Sequence, residues 1–205
     1  MYVNTQGFTG PGGLFFEPNV PGYRTYNLDK AKALVKELGG LTVKLGTINV
    51  LVAKETIQAL QSQWQQAGIK VSISSYDLSG LIQAFQSRKW QAMLQTAGSY
   101  DPAQGVGVAF RMSSMSPFSG IKDKKLDGML AQGAGTLDQS KRAQIYADLA
   151  RYVSDQAYGP FYFAFAPASI AVKGVKGPGL TTAMPAVVVN PDVFWDEVSL
   201  SSGAT

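Results

Sequence analysis

The sequence predicts an α/β fold in which helices flank a mixed β-sheet. Three observations carry this prediction. Residues 28–48 have the pattern of an amphipathic helix, a glycine stop and an alternating strand, and residues 54–74 repeat it. A third helix and strand follow by residue 96, so helix and strand alternate three times. Right-handed crossovers between such strands place them side by side in one sheet.

Local signals set the limits of the first elements. Gly and Pro punctuate residues 1–27 between large apolar side chains, which predicts a loop packed across a surface rather than a flexible linker. Asn27 is a favourable N-cap for a helix over residues 28–38. Two glycines end that helix, and an alternating strand follows over residues 41–48.

The second and third helix–strand pairs are predicted from the same kinds of signal. In the helix predicted over residues 54–67, apolar residues recur at spacings of four and three, so they share one face. Gly68 supplies a left-handed C-cap before a strand over residues 69–74. Asp77 then caps a short third helix, and a strand over residues 90–96 completes the alternation.

Capping residues also order the second half of the chain. A loop over residues 113–120 precedes Asp123, which caps a helix. Residues 136–139 have capping-box spacing, which predicts the start of a long helix there. Beyond that helix we predict an aromatic strand over 161–165, a second strand over 170–172, a closing turn over 173–179, and a further strand and docking segment in 186–189 and 193–198.

Composition removes several classes of function. The chain of 205 residues has no Cys and no His, which excludes thiolate nucleophiles, disulfides, imidazole catalysis and the commonest transition-metal ligand. We predict no catalytic residue, no metal site and no cofactor. The net charge of +4 is only mildly basic. Its densest cluster, residues 122–125, is interrupted by Asp123, so nucleic acid is not predicted as a partner.

Neither a transmembrane segment nor a signal peptide is predicted. No apolar run approaches the roughly 20 residues that cross a bilayer. Residues 1–7 lack the basic and apolar regions of a signal peptide. A chain of this length can bury one good core or two modest ones.

Ser119 and Lys122 match the S-x-x-K spacing in which a lysine activates a serine nucleophile. The companion S-D-N and K-T-G elements are absent from the sequence, so a serine hydrolase is an alternative rather than the leading hypothesis. Two pairs of carboxylates are spaced one helical turn apart, as the ligands of a divalent cation could be. Helix capping and solvated charge explain these pairs better. These pairs are Asp123 with Asp127, and Asp192 with Asp196.

The carboxyl ends of the three strands carry neutral hydrogen-bonding groups and tyrosine rings, in residues 47–49, 74–76 and 96–101. In open α/β sheets, ligands bind beyond this edge. A polar, peptide-like or cationic small molecule could therefore bind here without being transformed. The same residue types are favoured at ordinary turns and caps, so from composition alone both interpretations stay open.

Four segments carry more specific patterns. Residues 26–35 are YNLDKAKALV, and residues 59–71 are ALQSQWQQAGIKV. Residues 90–102 hold WQAML followed by an Asp-Pro pair, and residues 125–130 are KLDGML. In this order they resemble the peptide/nickel family (family 5) of extracytoplasmic solute-binding proteins, the capture subunits of ABC importers. The similar family patterns are Y-[DN]-x-x-K-A-K-x-L-L, x-L-Q-x-x-L-x-x-x-G-I-x-V, [FW]-[DQ]-A-x-L…D-P and x-[FL]-D-x-L-L.

The resemblance implies one lobe of a periplasmic-binding-protein type II-like fold, because the matched segments belong to the second of the family's two lobes. We expect residues 1–205 to form a single solute-binding lobe with its body in residues 24–185. Residues 1–23 and 186–205 would be the segments that cross to the other lobe. The implied partners are a peptide or small-molecule ligand, the other lobe and an ABC permease. The implied location is extracytoplasmic, either periplasmic or lipid-anchored at the cell surface.

The resemblance also implies site residues and a non-enzymatic role. Peptide-binding members often place an acidic residue just after the third strand, where this chain has Ser99, so amine recognition in that manner is not expected. One lobe offers half of the contacts, so the isolated chain should bind weakly. A protein-interaction module that docks through residues 161–165 or the tail is the remaining alternative. The expected lining of this half of the cleft is Gln95, Thr96, Ser99, Tyr100, Asp101 and Phe118, with Phe15 and Phe16 as further walls.

Overall fold

The computed structural model describes residues 2–88, 90–95, 100–105, 107–165, 173–177 and 197–200. The chain divides into two compact units. Thr25–Thr96 form one, which we name the sheet unit; Met1–Arg24 and Ala97–Thr205 together form the other, which we name the helical unit. The assignment of the whole chain to a single lobe stays a prediction.

Helices and strands alternate through the first half of the chain, as the α/β prediction requires, and consecutive helices follow. In chain order the elements are β1 (Tyr2–Asn4), α1 (Leu28–Glu37), β2 (Leu41–Ile48), α2 (Leu51–Gln66), β3 (Ile69–Tyr76), α3 (Leu78–Ser87), β4 (Ala92–Met93), α4 (Val108–Met112), α5 (Lys124–Gly135), α6 (Gln139–Asp155), β5 (Phe163–Phe165), β6 (Val175–Lys176) and β7 (Ser199–Leu200).

The sheet unit is built on a three-stranded parallel sheet with the order β3-β2-β4. β2 and β3 pair along their full length, from Leu41 opposite Ile69 to Ile48 opposite Tyr76. The buried side chains of β2 and half-buried ones of β3 pack with α2, and α1 contributes no buried residue. The core of this unit is formed by Leu45, Ile57 and Leu60, with Trp64, Val71, Ile73, Ala92 and Leu94 packed against it.

Two elements of the sheet unit differ most from their predicted limits, and β3 also runs two residues beyond its predicted end, to Tyr76. A strand was predicted over residues 90–96, but β4 spans only two residues. The side-chain oxygen of Gln91 accepts the amide of Lys44 at 2.7 Å, so it occupies the position that a backbone acceptor would take in a longer ladder. Helix α2 begins at Leu51, ahead of the predicted start. Its N-cap, Val50, makes no side-chain capping bond, so the sequence contains no capping signal for this start.

Helix capping follows the predicted chemistry at three of four starts. Asn27, Asp77 and Asp123 each accept a backbone amide of the first turn of α1, α3 and α5. The prediction that Thr136 begins the long helix is wrong. Asp138 caps α6 by accepting the amide of Lys141 at 2.9 Å, whereas the hydroxyl of Thr136 donates to the carbonyl of Gln132, at the end of α5.

The helical unit packs an N-terminal loop against two long helices. β1 pairs antiparallel with β5, with Asn4 opposite Phe163. The side chains of Leu126, Leu149 and Val153 are completely buried between the elements of this unit. The whole buried core of the unit comprises Phe8, Val20, Ala109, Leu126, Leu130, Tyr146, Leu149, Ala150 and Val153.

The C-terminal predictions are met only in part. The aromatic strand is confirmed over Phe163–Phe165, two residues shorter than predicted. The segment predicted as a turn contains strand β6, which pairs antiparallel with β7. Of its described residues, 173–177, Lys173 and Gly174 form a turn, with Gly174 at a φ of +97°. The strand predicted over 170–172 and the segments 186–189 and 193–196 lie outside the described residues. Within the described ranges, no helix is long and apolar enough to cross a membrane.

Candidate functional site

An open depression of about 540 Å³ lies on the helical unit, between the loop that begins at Tyr100 and the α5–α6 connection. Two residues predicted from the sequence, Tyr100 and Asp101, lie in its lining. Tyr100 is 40% exposed, so its ring is accessible to a solute. The lining residues are Tyr100, Asp101, Ala103, Gln104, Ala134, Thr136, Leu137, Gln139 and Arg142.

An ion pair forms the floor of this depression. Arg142 donates from its two terminal nitrogens to the two oxygens of Asp101, each at 2.6 Å. These hydrogen bonds lower the pKa of the Asp101 carboxyl and raise the pKa of Arg142, so both groups are charged at neutral pH. Arg142 also donates from Nε to the carbonyl of Gly133 at 2.7 Å. The site thus presents a carboxylate and a guanidinium whose charges compensate each other.

Local turn chemistry positions Asp101. Its side chain accepts the amide of Ala103 at 2.9 Å, and its carbonyl accepts the amide of Gln104 at 2.9 Å, so the carboxylate also closes the turn in which it lies. The carbonyl of Tyr100 accepts the amide of Leu14 at 2.7 Å. Arg142 is a site residue that sequence reasoning missed, because nothing in the pattern of the long helix distinguishes it from its neighbours.

The predicted walls Phe15 and Phe16 lie at a second, more enclosed cavity of about 130 Å³ in the same unit. The two sites share no lining residue, although the guanidinium carbon of Arg142 lies 5.3 Å from the centre of the Phe15 ring. Phe15 stacks on Tyr146 with ring centres 5.5 Å apart. The lining residues of this aromatic cavity are Gly7, Phe8, Phe15, Phe16, Glu17, Val20, Ala143, Tyr146, Ala147 and Ala150.

Two other predicted site residues, Phe118 and Gln95, line neither cavity. Phe118 contacts Arg111, whose guanidinium carbon lies 4.5 Å from the ring centre, and it lines neither cavity. Gln95 belongs to the sheet unit, where it is half-buried. Thr96 and Ser99 lie outside the described residues. The role of these residues as ligand contacts stays a prediction.

In the sheet unit, only some of the polar side chains at the carboxyl ends of the strands are exposed. Thr47 is completely buried, and its hydroxyl has no hydrogen-bond partner among the described residues. Asn49 and Ser75 at the same edge are exposed. The expectation that Thr47 offers its hydroxyl to a solute is therefore wrong, because the side chain points into the core.

The Ser119–Lys122 motif has no catalytic geometry in this structure. The ammonium of Lys122 donates to the carbonyl of Ser114 at 2.5 Å. The hydroxyl of Ser119 accepts the amide of Ile121 at 3.4 Å, a local turn contact. The Ser119 hydroxyl and the Lys122 ammonium thus bond to backbone groups and not to each other, so the arrangement does not favour serine hydrolysis.

The Asp123 carboxylate is a structural link between two helices. One oxygen caps α5, and the other accepts the hydroxyls of Tyr152 and Tyr158 at 2.7 and 2.8 Å. The tyrosine hydrogen bonds lower the pKa of Asp123 to about 2, and the Asp123 bond raises the pKa of Tyr152 to about 12. Asp127 accepts the amide of Ser114 at 2.9 Å. Asp192 and Asp196 lie outside the described residues, and within the described ranges no three acidic, His or Cys side chains could hold a metal ion.

We expect Asp123→Asn to weaken the acid dependence of stability. The folded-state pKa of Asp123 lies below its ordinary value of 3.8, so the carboxylate stabilises the fold above about pH 4 and loses this effect as the pH falls towards 2. Urea midpoints from circular dichroism at several pH values measure this difference. The midpoint of the original protein should fall more steeply across this range than that of the variant, and parallel curves would contradict the assignment.

Comparison with protein-family models identifies one family. The family model described as bacterial extracellular solute-binding proteins, family 5 Middle, matches residues 1–119. The dipeptide-binding protein of Escherichia coli (strain K12) is 23% identical, over 65% of this chain and 27% of that protein. This chain therefore spans about a quarter of the length of that curated relative.

Two solved structures share the fold over nearly the whole chain. The ABC transporter substrate-binding protein CtaP from Listeria monocytogenes has a TM-score of 0.68 at 22% identity, over 98% of this chain and 42% of that one. HbpA2 from Haemophilus parasuis has a TM-score of 0.70 at 19% identity, over 98% of this chain and 40% of that one. At these sequence identities, the comparison with the two structures shows a shared fold and no more.

Proposed function

Because the chain belongs to family 5 of the bacterial extracellular solute-binding proteins, we propose that it supplies part of the surface with which such a protein captures a peptide or a similar small polar solute. Its fold is the predicted α/β, periplasmic-binding-protein type II-like fold. The proposed cargo follows from the dipeptide-binding relative and from the chemistry of the depression.

The observation that carries the proposal is the Asp101–Arg142 pair at the floor of the depression. A peptide brings an amine, a carboxylate and several amides. The remaining lone pairs of Asp101 can accept from the amine, the remaining N–H groups of Arg142 can donate to the carboxylate, and Gln104 and Gln139 can bond to amides. Because the two charges compensate each other, the surface attracts a dipolar solute without requiring a net charge on it.

In this proposal the chain is one lobe, and a second lobe completes the ligand site. Bound solute would stabilise the closed pair of lobes by contacts to both, which is a population shift rather than a reaction. The closed form would then deliver its solute to an ABC permease outside the cytoplasm. Delivery, the second lobe and a periplasmic or lipid-anchored location are parts of the proposal that rest on family membership.

Trialanine is a suitable first probe of the isolated chain. We expect a dissociation constant on the order of 1 mM, because only one of the two proposed surfaces is present. Backbone amide shifts in heteronuclear NMR titrations should concentrate at Tyr100, Gln104 and Thr136. No perturbation at a large excess of peptide would contradict the site, and micromolar binding would contradict the shared-lobe arrangement.

A matched pair of glutamine variants tests the location of binding. Gln104→Ala removes one amide from the depression and should weaken trialanine binding about fivefold. Gln144→Ala removes an equally exposed amide from α6 that lines neither cavity, so binding should not change. Equal effects of the two variants would place the peptide elsewhere.

A further inference from the structure

The aromatic cavity has the size of a small ring. Its volume is about 130 Å³, close to the roughly 150 Å³ of an engineered apolar cavity that stays dry and binds benzene. Three aromatic side chains and Tyr146 contribute to its lining, and Ala143, Ala147 and Ala150 present only methyl groups from one side of α6. A compact ring therefore fits this space, whereas a peptide does not.

The walls of the aromatic cavity are held in place by packing. Phe8 is only 3% exposed and lies against Phe161 and Tyr146, with ring centres 5.2 and 5.8 Å away. Phe15 has a φ of +59°, a left-handed conformation that side chains with a Cβ rarely adopt. This backbone turns its ring onto Tyr146. Walls fixed in this way resist the collapse that would close an empty space.

One acidic residue lies among the aromatic groups. Glu17 is the sole acidic residue in the lining, and one of its side-chain oxygens accepts the amide of Asn19 at 3.0 Å. Across the described part of the chain, Glu17 makes no ion pair. A carboxylate without an ion-pair partner attracts a cation.

We propose that the aromatic cavity binds a small arylalkylamine in its protonated form. The ring of the ligand fills the cavity against Phe15 and Tyr146, and its ammonium group pairs with Glu17. This site is separate from the depression that holds the proposed peptide surface. If the aromatic cavity does not bind an amine, the proposed peptide binding is unaffected. If the depression does not bind a peptide, the proposed amine site is unaffected.

Benzylammonium tests the proposal by saturation-transfer NMR on the full chain. We expect binding with a dissociation constant on the order of 1 mM. Ala147→Leu fills the cavity from α6 and should weaken binding at least about tenfold. Gln144→Leu adds the same side chain on α6 outside the lining and should leave binding unchanged. Ala143→Val is a smaller filling variant that serves if Ala147→Leu does not fold, as judged by circular dichroism.

A second, independent measurement tests whether the charge of the ligand contributes to binding. Glu17→Gln should weaken benzylammonium about threefold, a fold-change expected of a partly exposed ion pair, and should not affect benzyl alcohol. The absence of saturation transfer in the original protein would overturn the proposal and leave the cavity as a packing void. Unchanged binding in the filling variant, or equal binding of the amine to the Glu17 variant, would also overturn it.

Discussion

Arg142→Met is expected to lower the free energy of unfolding by about 3 kcal/mol, the lower end of the range for breaking a buried ion pair. The variant leaves the Asp101 carboxylate without its counter-charge and the carbonyl of Gly133 without its donor. The Arg142 side chain is only 9% exposed, whereas that of Asp101 is 26% exposed, so water compensates the carboxylate in part. The guanidinium also covers the rings of Phe15 and Tyr146.

Arg151→Met provides the matched control on the same helix. Arg151 pairs with Asp148, but both side chains are more than 40% exposed, so the loss should stay below about 1 kcal/mol. Urea unfolding of both variants, followed by far-ultraviolet circular dichroism at pH 7, measures the difference. Equal losses in the two variants would show that the Asp101–Arg142 pair does not hold the loop to α6.

Leu149→Ala is expected to destabilise the helical unit by about 2–5 kcal/mol, the range for truncating a buried leucine. Leu149 is completely buried in α6, within the core that α6 shares with Leu126 of α5 and Phe8. The variant removes this apolar surface from the core and leaves a cavity, because the surrounding side chains relax only in part.

Leu137 offers the control for this substitution. It is 94% exposed in the α5–α6 connection, so Leu137→Ala should change the free energy of unfolding by no more than about 0.5 kcal/mol. Thermal and urea unfolding of the two alanine variants give the comparison. A loss below about 1 kcal/mol at Leu149 would mean that the core around α6 is not packed as described.

The elements that sequence patterns predict well are those with a local cause. The caps at Asn27, Asp77 and Asp123 were predictable because a side-chain oxygen and the amide that it accepts lie within three residues of each other. At the start of α6, two side chains could act as the cap, and Asp138 does so because the Thr136 hydroxyl instead donates to the carbonyl of Gln132. The start of α2 at Val50 has no capping side chain, so no local signal exists.

The candidate site likewise combines residues that have a local sequence signal with contacts that have none. Resemblance to the family drew attention to Tyr100 and Asp101, and turn chemistry at the Asp-Pro pair supports their position. The partner of Asp101 was not predictable, because Arg142 lies 41 residues further along the chain. Phe15 and Phe16 were predicted as walls of a cleft, but they line a separate cavity, which depends on how the loop meets α6.

The two units make different demands on the order in which the chain folds. The sheet unit is one continuous segment whose strands meet across short helical connections, so it can form early from near neighbours. The helical unit closes only when its first residues reach partners made much later, as in the bond from the Phe161 amide to the Tyr23 hydroxyl, 138 residues apart. During synthesis, β1 must therefore wait for β5, and until then its unpaired edge is open to mispairing with other chains.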